Sequence, residues 1–343
     1  MIALDAVLPH PRAVSVADVA TLTSVGLDGL WSREAGNDPF LDLCSVAQAR
    51  SVDTLGTNIA VAFARSPFSM AASAWQMQAM SGGRFVLGLG SQVKGHITGR
   101  YGMPYDPPGP KLREYILAVR EIWNAFRTGE ISHEGAYYRF DKRTFTPYFT
   151  PPPNEHANPP IVISAVNKYN CETVGRVADG MVIHPLHSSD FIRSELIPMI
   201  DVGLAASRRQ RSDLTLICPV LVGIGESTSE LTEARRRLKS SIAFYGSTRT
   251  YASVFEALGR PRVPERLHAL MAKGRVDDMP DAVDDDLLDE IAIVGTVDHV
   301  AQEMRTRYDG LVDRVYISNQ DENQPLQDEE TLRRFIRAFR EKA

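Results

Sequence analysis

Residues 55–90 read LGTNIAVAFARSPFSMAASAWQMQAMSGGRFVLGLG. The first nine, Leu55 to Phe63, are rich in β-branched and small apolar residues, the pattern of a strand buried on both faces. Ser66-Pro67 opens a helix that carries Phe68, Ala71, Ala72 and Trp75 at helical spacing, and Phe85 to Leu89 is another buried strand. The unit is therefore strand, helix, strand, and it recurs on both sides. Toward the N-terminus, Ile2 to Leu8 is a strand, Ser15 to Val25 a helix and Gly29 to Trp31 a strand. Asp38-Pro39 then supplies an N-cap and an N1 proline for a helix on Phe40, Leu43, Cys44 and Ala47.

Toward the C-terminus, Lys111 to Phe126 places Leu112, Tyr115, Ile116, Val119, Ile122, Trp123 and Phe126 on one helix face. Strands at Ile161 to Ser164 and Met181 to Ile183 flank a helix from Lys168 to Ala178. Leu214 to Ile224 is a seventh strand, followed by a capping box of Ser227 and Glu230. Leu311 to Ile317 is the eighth, after a helix on Val297, Val300, Ala301 and Met304, and a stripe of Leu332, Phe335, Ile336 and Phe339 closes the chain. Eight such units predict an α/β protein, a (β/α)8 TIM barrel of ~250 residues in a single domain over 1–343. The excess length falls in three loop insertions, about 91–110, 133–160 and 245–289. The last holds eight acidic residues between Asp277 and Glu290, read as a solvated face.

The composition of the 343 residues is ordinary for a globular protein, and the net charge of −5 gives no field that would gather nucleic acid or an anionic membrane. No apolar run approaches the ~20 residues of a membrane helix. Asp5 interrupts the first apolar segment and no Lys or Arg precedes Arg12, so the start does not read as a signal peptide. Three widely spaced cysteines, Cys44, Cys171 and Cys218, form no disulfide framework and no CxxC site. The expectation is a cytoplasmic protein.

A barrel of this kind carries its site at the C-terminal strand ends. The residues to interrogate are His10; Ser32, Arg33 and Glu34; Asn58 to Val61; Gly90, Ser91, Gln92, Lys94 and His96; Ser164 to Lys168; His184 to Ser188; and Ser318, Asn319 and Gln320. Gly88-Leu89-Gly90 fails the dinucleotide fingerprint because Val93 stands where the third glycine belongs. GxxxxGK[ST], HExxH and GxSxG do not occur. His184 and His187 have HxxH spacing but no converging ligand motif, so no metal is expected.

Gly82-Gly83-Arg84-Phe85-Val86-Leu87-Gly88-Leu89-Gly90 leading into Ser91-Gln92-Val93-Lys94-Gly95-His96, with Ile161-Val162-Ile163-Ser164 leading to Val177-Ala178-Asp179-Gly180, resembles the bacterial luciferase-like family. The resemblance covers nearly the whole chain, and the SQVKGH stretch is closest to the branch that uses coenzyme F420. It implies an oxidoreductase that moves a hydride between F420 and a small-molecule substrate and acts as a homodimer. FMN-dependent monooxygenases are the neighbouring branch, and a flavin-binding protein without turnover is a third reading. In the family the third strand carries a bulge with a non-prolyl cis peptide against the ring; the matching positions are Asn58 and Ile59, with Val61 beside them.

The same resemblance places Gly90, Ser91, Gln92 and His96 at the ring edge. Small residues there permit close backbone approach. Ser164, Ala165, Val166 and Asn167 match the turn whose amides hold the cofactor phosphate at a helix N-terminus, with His184 facing the same phosphate. Val166 and Asn167 stand where the family often has glycine. Related F420 enzymes present His after the second strand and Glu after the fourth, whereas this chain has Glu34 and Val93. Glu34 is therefore the expected acid/base, and His96 shares the proton work. Lys94, Lys168 and Arg193 are candidates to meet the anionic tail of F420.

Overall fold

The computed structural model describes residues 2–9, 14–318 and 328–341. Its strands are β1 (Ala3–Val7), β2 (Gly29–Ser32), β3 (Thr54–Thr57), β4 (Ala60–Val61), β5 (Phe85–Gly90), β6 (Ile161–Ser164), β7 (Gly180–Val182), β8 (Thr215–Ile224), β9 (Ala292–Gly295) and β10 (Arg314–Ile317). The pairing runs β1, β2, β3, β5, β6, β7, β8 and β10 and returns to β1, every pair parallel. This closed eight-strand barrel is the expected TIM fold.

The helices alternate with the strands. Among them α1 (Val16–Ser24), α2 (Pro39–Ala49), α3 (Pro67–Ser81), α4 (Lys94–Gly99), α5 (Pro108–Thr128) and α6 (Lys168–Val177) belong to the first two thirds of the chain. The local signals act as read: Asp38 accepts from Phe40 N with Pro39 at N1, and Ser227 and Glu230 form a reciprocal capping box. The apolar stripe of α5 is buried from Leu112 to Phe126. Stripping water from that face is what holds so long a helix on the barrel, since propensity alone contributes little.

Inside the barrel, Trp31, Val162, Val182, Ile217 and Tyr316 fill the lumen. Below them Asp5 accepts from Trp31 Nε1 at 2.8 Å and from both arms of Arg314 at 2.7 Å. Burial raises the Asp5 pKa and Arg314 opposes that shift. The lumen is thus plugged from below, which leaves the opposite end for a site.

Two readings need correction. Leu55 to Phe63 is not one strand: β3 stops at Thr57 and β4 begins at Ala60, with a short 3-10 turn at Ala62–Ala64. β9 falls in no strand that the sequence predicts; it pairs outside the ring with Leu221 to Ile224, the far half of β8. At ten residues β8 is long enough to serve both pairings, first with the ring and then with β9. The insertion at 91–110 contains α4, and 133–160 contributes an antiparallel bridge between Glu134 and Arg139. In 245–289 the acidic run is largely exposed, and Asp285 and Asp289 pair with Arg235 of the helix Thr228–Gly246.

Candidate functional site

A cavity of about 320 Å³ opens at the C-terminal ends of the barrel strands. Val7, Arg33, Asn58, Ile59, Ser91 and Gln92 line one part; Ser164 to Asn167, Asn170 and His184 line another; Tyr245, Tyr251 and Tyr316 complete it. The expected site residues Asn58, Ile59, Ser91, Gln92, Ser164, Ala165, Val166, Asn167 and His184 are therefore brought together. Gly90 sits just behind, where a Cβ would lie 2.7 Å from both Ile59 Cδ1 and Ser164 Oγ. His10, Asn319 and Gln320 lie outside the described residues.

The wall at Asn58 and Ile59 comes from the break between β3 and β4, and the peptide joining them is cis. Asn58 N donates to Ser32 O at 2.6 Å and Glu34 N donates to Ile59 O at 3.2 Å, so the segment pairs with the end of β2 and the loop after it. Thr57 Oγ1 donates to Gly88 O at 2.7 Å and accepts from Gly88 N at 2.9 Å. A Cβ at Gly88 would overlap the Thr57 carbonyl oxygen, so glycine is what allows β5 this close. Gln92 holds φ +57° at the cavity rim, with its own Oε1 accepting from Val93 N. A non-glycine residue in this left-handed region is uncommon, and such positions gather at functional sites.

Glu34, His96 and Val61 do not line the cavity. Glu34 is turned behind the wall, with its side chain only 8% exposed. Its Oε2 accepts from Val61 N at 2.8 Å and from Arg65 at 2.6 Å, and Oε1 accepts from the Tyr101 hydroxyl at 3.2 Å. Arg65 continues to Asp38 at 2.8 Å. Burial works against the Arg65 charge, and its hydrogen bonds to Glu34 and Asp38 outweigh burial and raise its pKa. A carboxylate so fully engaged is a poor match for the free acid/base expected from sequence. His96 stands half-buried on α4.

His184 and His187 do not converge. His184 stacks on Tyr251 with ring centroids 4.1 Å apart and meets Tyr245 edge-on at 4.9 Å. Its Nδ1 accepts from Leu186 N at 3.1 Å, which leaves the proton on Nε2. His187 is sealed below: Nδ1 donates to the His184 carbonyl at 2.7 Å, and Nε2 accepts from the Tyr308 hydroxyl at 3.1 Å beside Cys218 Sγ at 3.2 Å. Burial pushes its pKa down to about 4, despite the opposing bond to the His184 carbonyl. Among the described residues no three His, Cys, Asp or Glu side chains gather as metal ligands.

The lining also tests whether a flat, phosphate-bearing cofactor fits. Arg33 Nε and Asn170 Oδ1 are buried and without partners, the Asn58 side chain meets the Tyr316 hydroxyl, and all four residues line this cavity. Buried donors and acceptors in such a state call for a ligand or water. Ser164 to Asn167 form the turn into α6, where Asn167 caps the helix through Asn170 N. The first amides of that helix favour an anion. Sequence reasoning missed Asn170, Tyr245, Tyr251 and Tyr316; the two tyrosines at 245 and 251 open an insertion with no periodic signal.

The fold and the cavity define a (β/α)8 barrel with its ligand site at the carboxyl ends of the strands. The chain belongs to the luciferase-like monooxygenase family, whose model matches residues 12–314. An uncharacterized protein of Mycobacterium tuberculosis is 40% identical over 313 residues, covering 91% of this chain and 92% of its own. A second M. tuberculosis protein, provisionally named a coenzyme F420-dependent oxidoreductase, is 28% identical over 304 residues, with 83% and 85% coverage. The coenzyme F420-dependent tetrahydromethanopterin reductase of Methanopyrus kandleri superposes with a TM-score of 0.77 at 19% identity over 99% of both chains, a likeness of fold. An EDTA monooxygenase of Chelativorans sp. BNC1 shares the fold at a TM-score of 0.64 and 15% identity, covering 98% and 92%. The named proteins among these are oxidoreductases, reductases or monooxygenases, two of them named as coenzyme F420-dependent. No helix among the described residues is long and apolar enough to cross a membrane.

Proposed function

We propose that the chain is an F420-dependent oxidoreductase that transfers a hydride between the deazaflavin and a small organic substrate. One observation carries the reading: a single cavity holds the Asn58–Ile59 wall, the Gln92 rim and the α6 turn, and two of its lining residues, Arg33 and Asn170, carry buried polar atoms without partners. Relatives named for coenzyme F420 support this reading, and a flavin-dependent monooxygenase stands among the similar proteins as well. When bound, the deazaflavin supplies the two-electron hydride chemistry.

The chain's own part is to bind, orient and exclude water. Asn58 and Ile59 serve the ring face, backed by Val61. Gly90, Ser91 and Gln92 serve its edge. Ser164, Ala165, Val166 and Asn167, with His184 nearby, serve the phosphate. Lys94 and Lys168, both exposed, are available to the anionic tail, while Arg193 is already paired with Asp190 at 2.9 Å. Glu34 is a positioning residue in this reading: it holds Val61 and, through its backbone, Ile59. His96 is left without a proton role. The same reading carries a cytoplasmic homodimer, which sedimentation of the purified protein checks.

Equilibrium titration of purified protein with F420 and with FMN tests the cofactor. F420 binding at least tenfold tighter than FMN supports the proposal. Tight FMN binding without F420 affinity selects the monooxygenase reading, which the family name favours. Single-turnover oxidation of the bound reduced cofactor separates both from a binding protein without turnover.

A further inference from the structure

We infer that Arg33 reads an anionic group on the substrate, and that this group is a carboxylate. The inference rests on the cavity being the redox site proposed above. Arg33 is the only Lys, Arg, Asp or Glu among the described lining residues, so a guanidinium faces the cavity with no carboxylate opposite. Its Nε is buried and unpartnered. The adjacent Glu34 is no counterion, because Arg65, Val61 N and Tyr101 occupy its oxygens. A cation held this way is costly until an anion enters, and the planar fork of arginine matches a carboxylate in two parallel bonds.

The topology says which anion. Arg33 follows β2, whose neighbour β1 adjoins β10, so Arg33, Val7 and Tyr316 form one side of the mouth. The Ser164–Asn167 turn follows β6, three strands further round, and His184 follows β7, which stands opposite β2 in the ring of eight. The phosphate cradle and Arg33 therefore sit on different walls. Arg33 lines the cavity together with Tyr245 and Tyr316, and its positive charge lowers the pKa of both phenols against the larger upward effect of burial. Next to them, the rings of Tyr251 and His184 stack, and Tyr245 stands edge-on to both, which gives the cavity an aromatic lining. The pocket thus pairs one cation with an aromatic wall, the surroundings suited to a planar carboxylate.

The test titrates benzoate, its neutral counterpart benzamide, and inorganic phosphate into wild-type protein, Arg33→Gln and Arg33→Lys by calorimetry, before and after loading with F420. Wild-type protein should bind benzoate at least tenfold tighter than benzamide. Arg33→Gln should weaken benzoate by about 10- to 100-fold, the size of a lost charge-assisted pair, and leave benzamide and phosphate within about threefold. Equal affinity of wild-type protein for benzoate and benzamide overturns the inference. So does an Arg33→Gln variant that loses phosphate and keeps benzoate, which would give Arg33 to the cofactor phosphate. Thermal melts accompany each variant; if Arg33→Gln does not fold, Arg33→Lys decides, and unchanged benzoate affinity there overturns the inference. F420 affinity is measured on the same samples. Protein that binds F420 without preferring benzoate defeats this inference alone, and an Arg33-dependent benzoate preference without F420 affinity defeats the cofactor proposal alone.

Discussion

Glu34 Oε2 accepts the backbone N–H of Val61 at 2.8 Å, across the point where β3 gives way to β4. The interrupted strand leaves an amide that the ladder does not use, and a carboxylate from the loop after β2 takes it. Since Glu34 N also donates to Ile59 O at 3.2 Å, one residue holds both sides of the cavity wall. Exchanging the carboxylate removes a charged acceptor from a half-buried amide and an arginine.

Glu34→Gln should therefore lower stability by roughly 1–3 kcal/mol and weaken cofactor binding about tenfold. Urea melts and cofactor titration check this. Binding and stability at wild-type level with turnover reduced 10²-fold or more would return Glu34 to acid/base work.

Gly88→Ala and Gly90→Ala should separate folding from binding. At Gly88 the new methyl meets the Thr57 backbone, which cannot move without breaking both Thr57 bonds. A loss of ~3 kcal/mol or more is expected. At Gly90 it meets the ends of Ile59 and Ser164, which face the cavity. There the fold should lose less, about 1 kcal/mol, while cofactor affinity falls at least tenfold.

Asn167→Ala removes the acceptor for Asn170 N at the start of α6. A stability loss of ~0.5–2 kcal/mol is expected, with phosphate affinity reduced because the turn loses its cap. Thermal melts and phosphate calorimetry check it; unchanged phosphate binding would move the cradle elsewhere.

His187 sets an acid limit. Its folded pKa of about 4 lies below the unfolded value of ~6.5, so the unfolded state binds more protons in acid and stability rises with pH in that window. Stability should be level above pH 6.5 and fall progressively toward pH 4, by roughly 3 kcal/mol from this residue. His184, lowered by burial in the same way, acts in the same sense. His187→Gln should be less stable at pH 7, because Tyr308 and the His184 carbonyl lose a partner. It should also lose less stability between pH 6.5 and 4, measured by urea midpoints; an undiminished loss would assign the acid limit to other groups.

The order of strands, the barrel and most cap positions were legible in the chain itself. Buried parallel strands need apolar residues on both faces, and a helix start needs a local acceptor such as Asp38 or Ser227, so both leave marks in neighbouring positions. Asn58, Ile59 and the Ser164–Asn167 turn line one cavity, as their position at strand ends leads one to expect, because the end of a strand fixes where the next residues point. What only the tertiary structure decided concerns partners distant in sequence. Glu34 is engaged by Arg65 from 31 residues away and Tyr101 from 67, and no local pattern announces such a pair. β9 found its partner in the overhang of β8, whose length mattered more than any residue in β9. Tyr316 and Tyr251 meet at one cavity because the ring closes β10 onto β1 and the 245–289 insertion stacks Tyr251 on His184, and ring closure is a property of eight strands together rather than of any one segment.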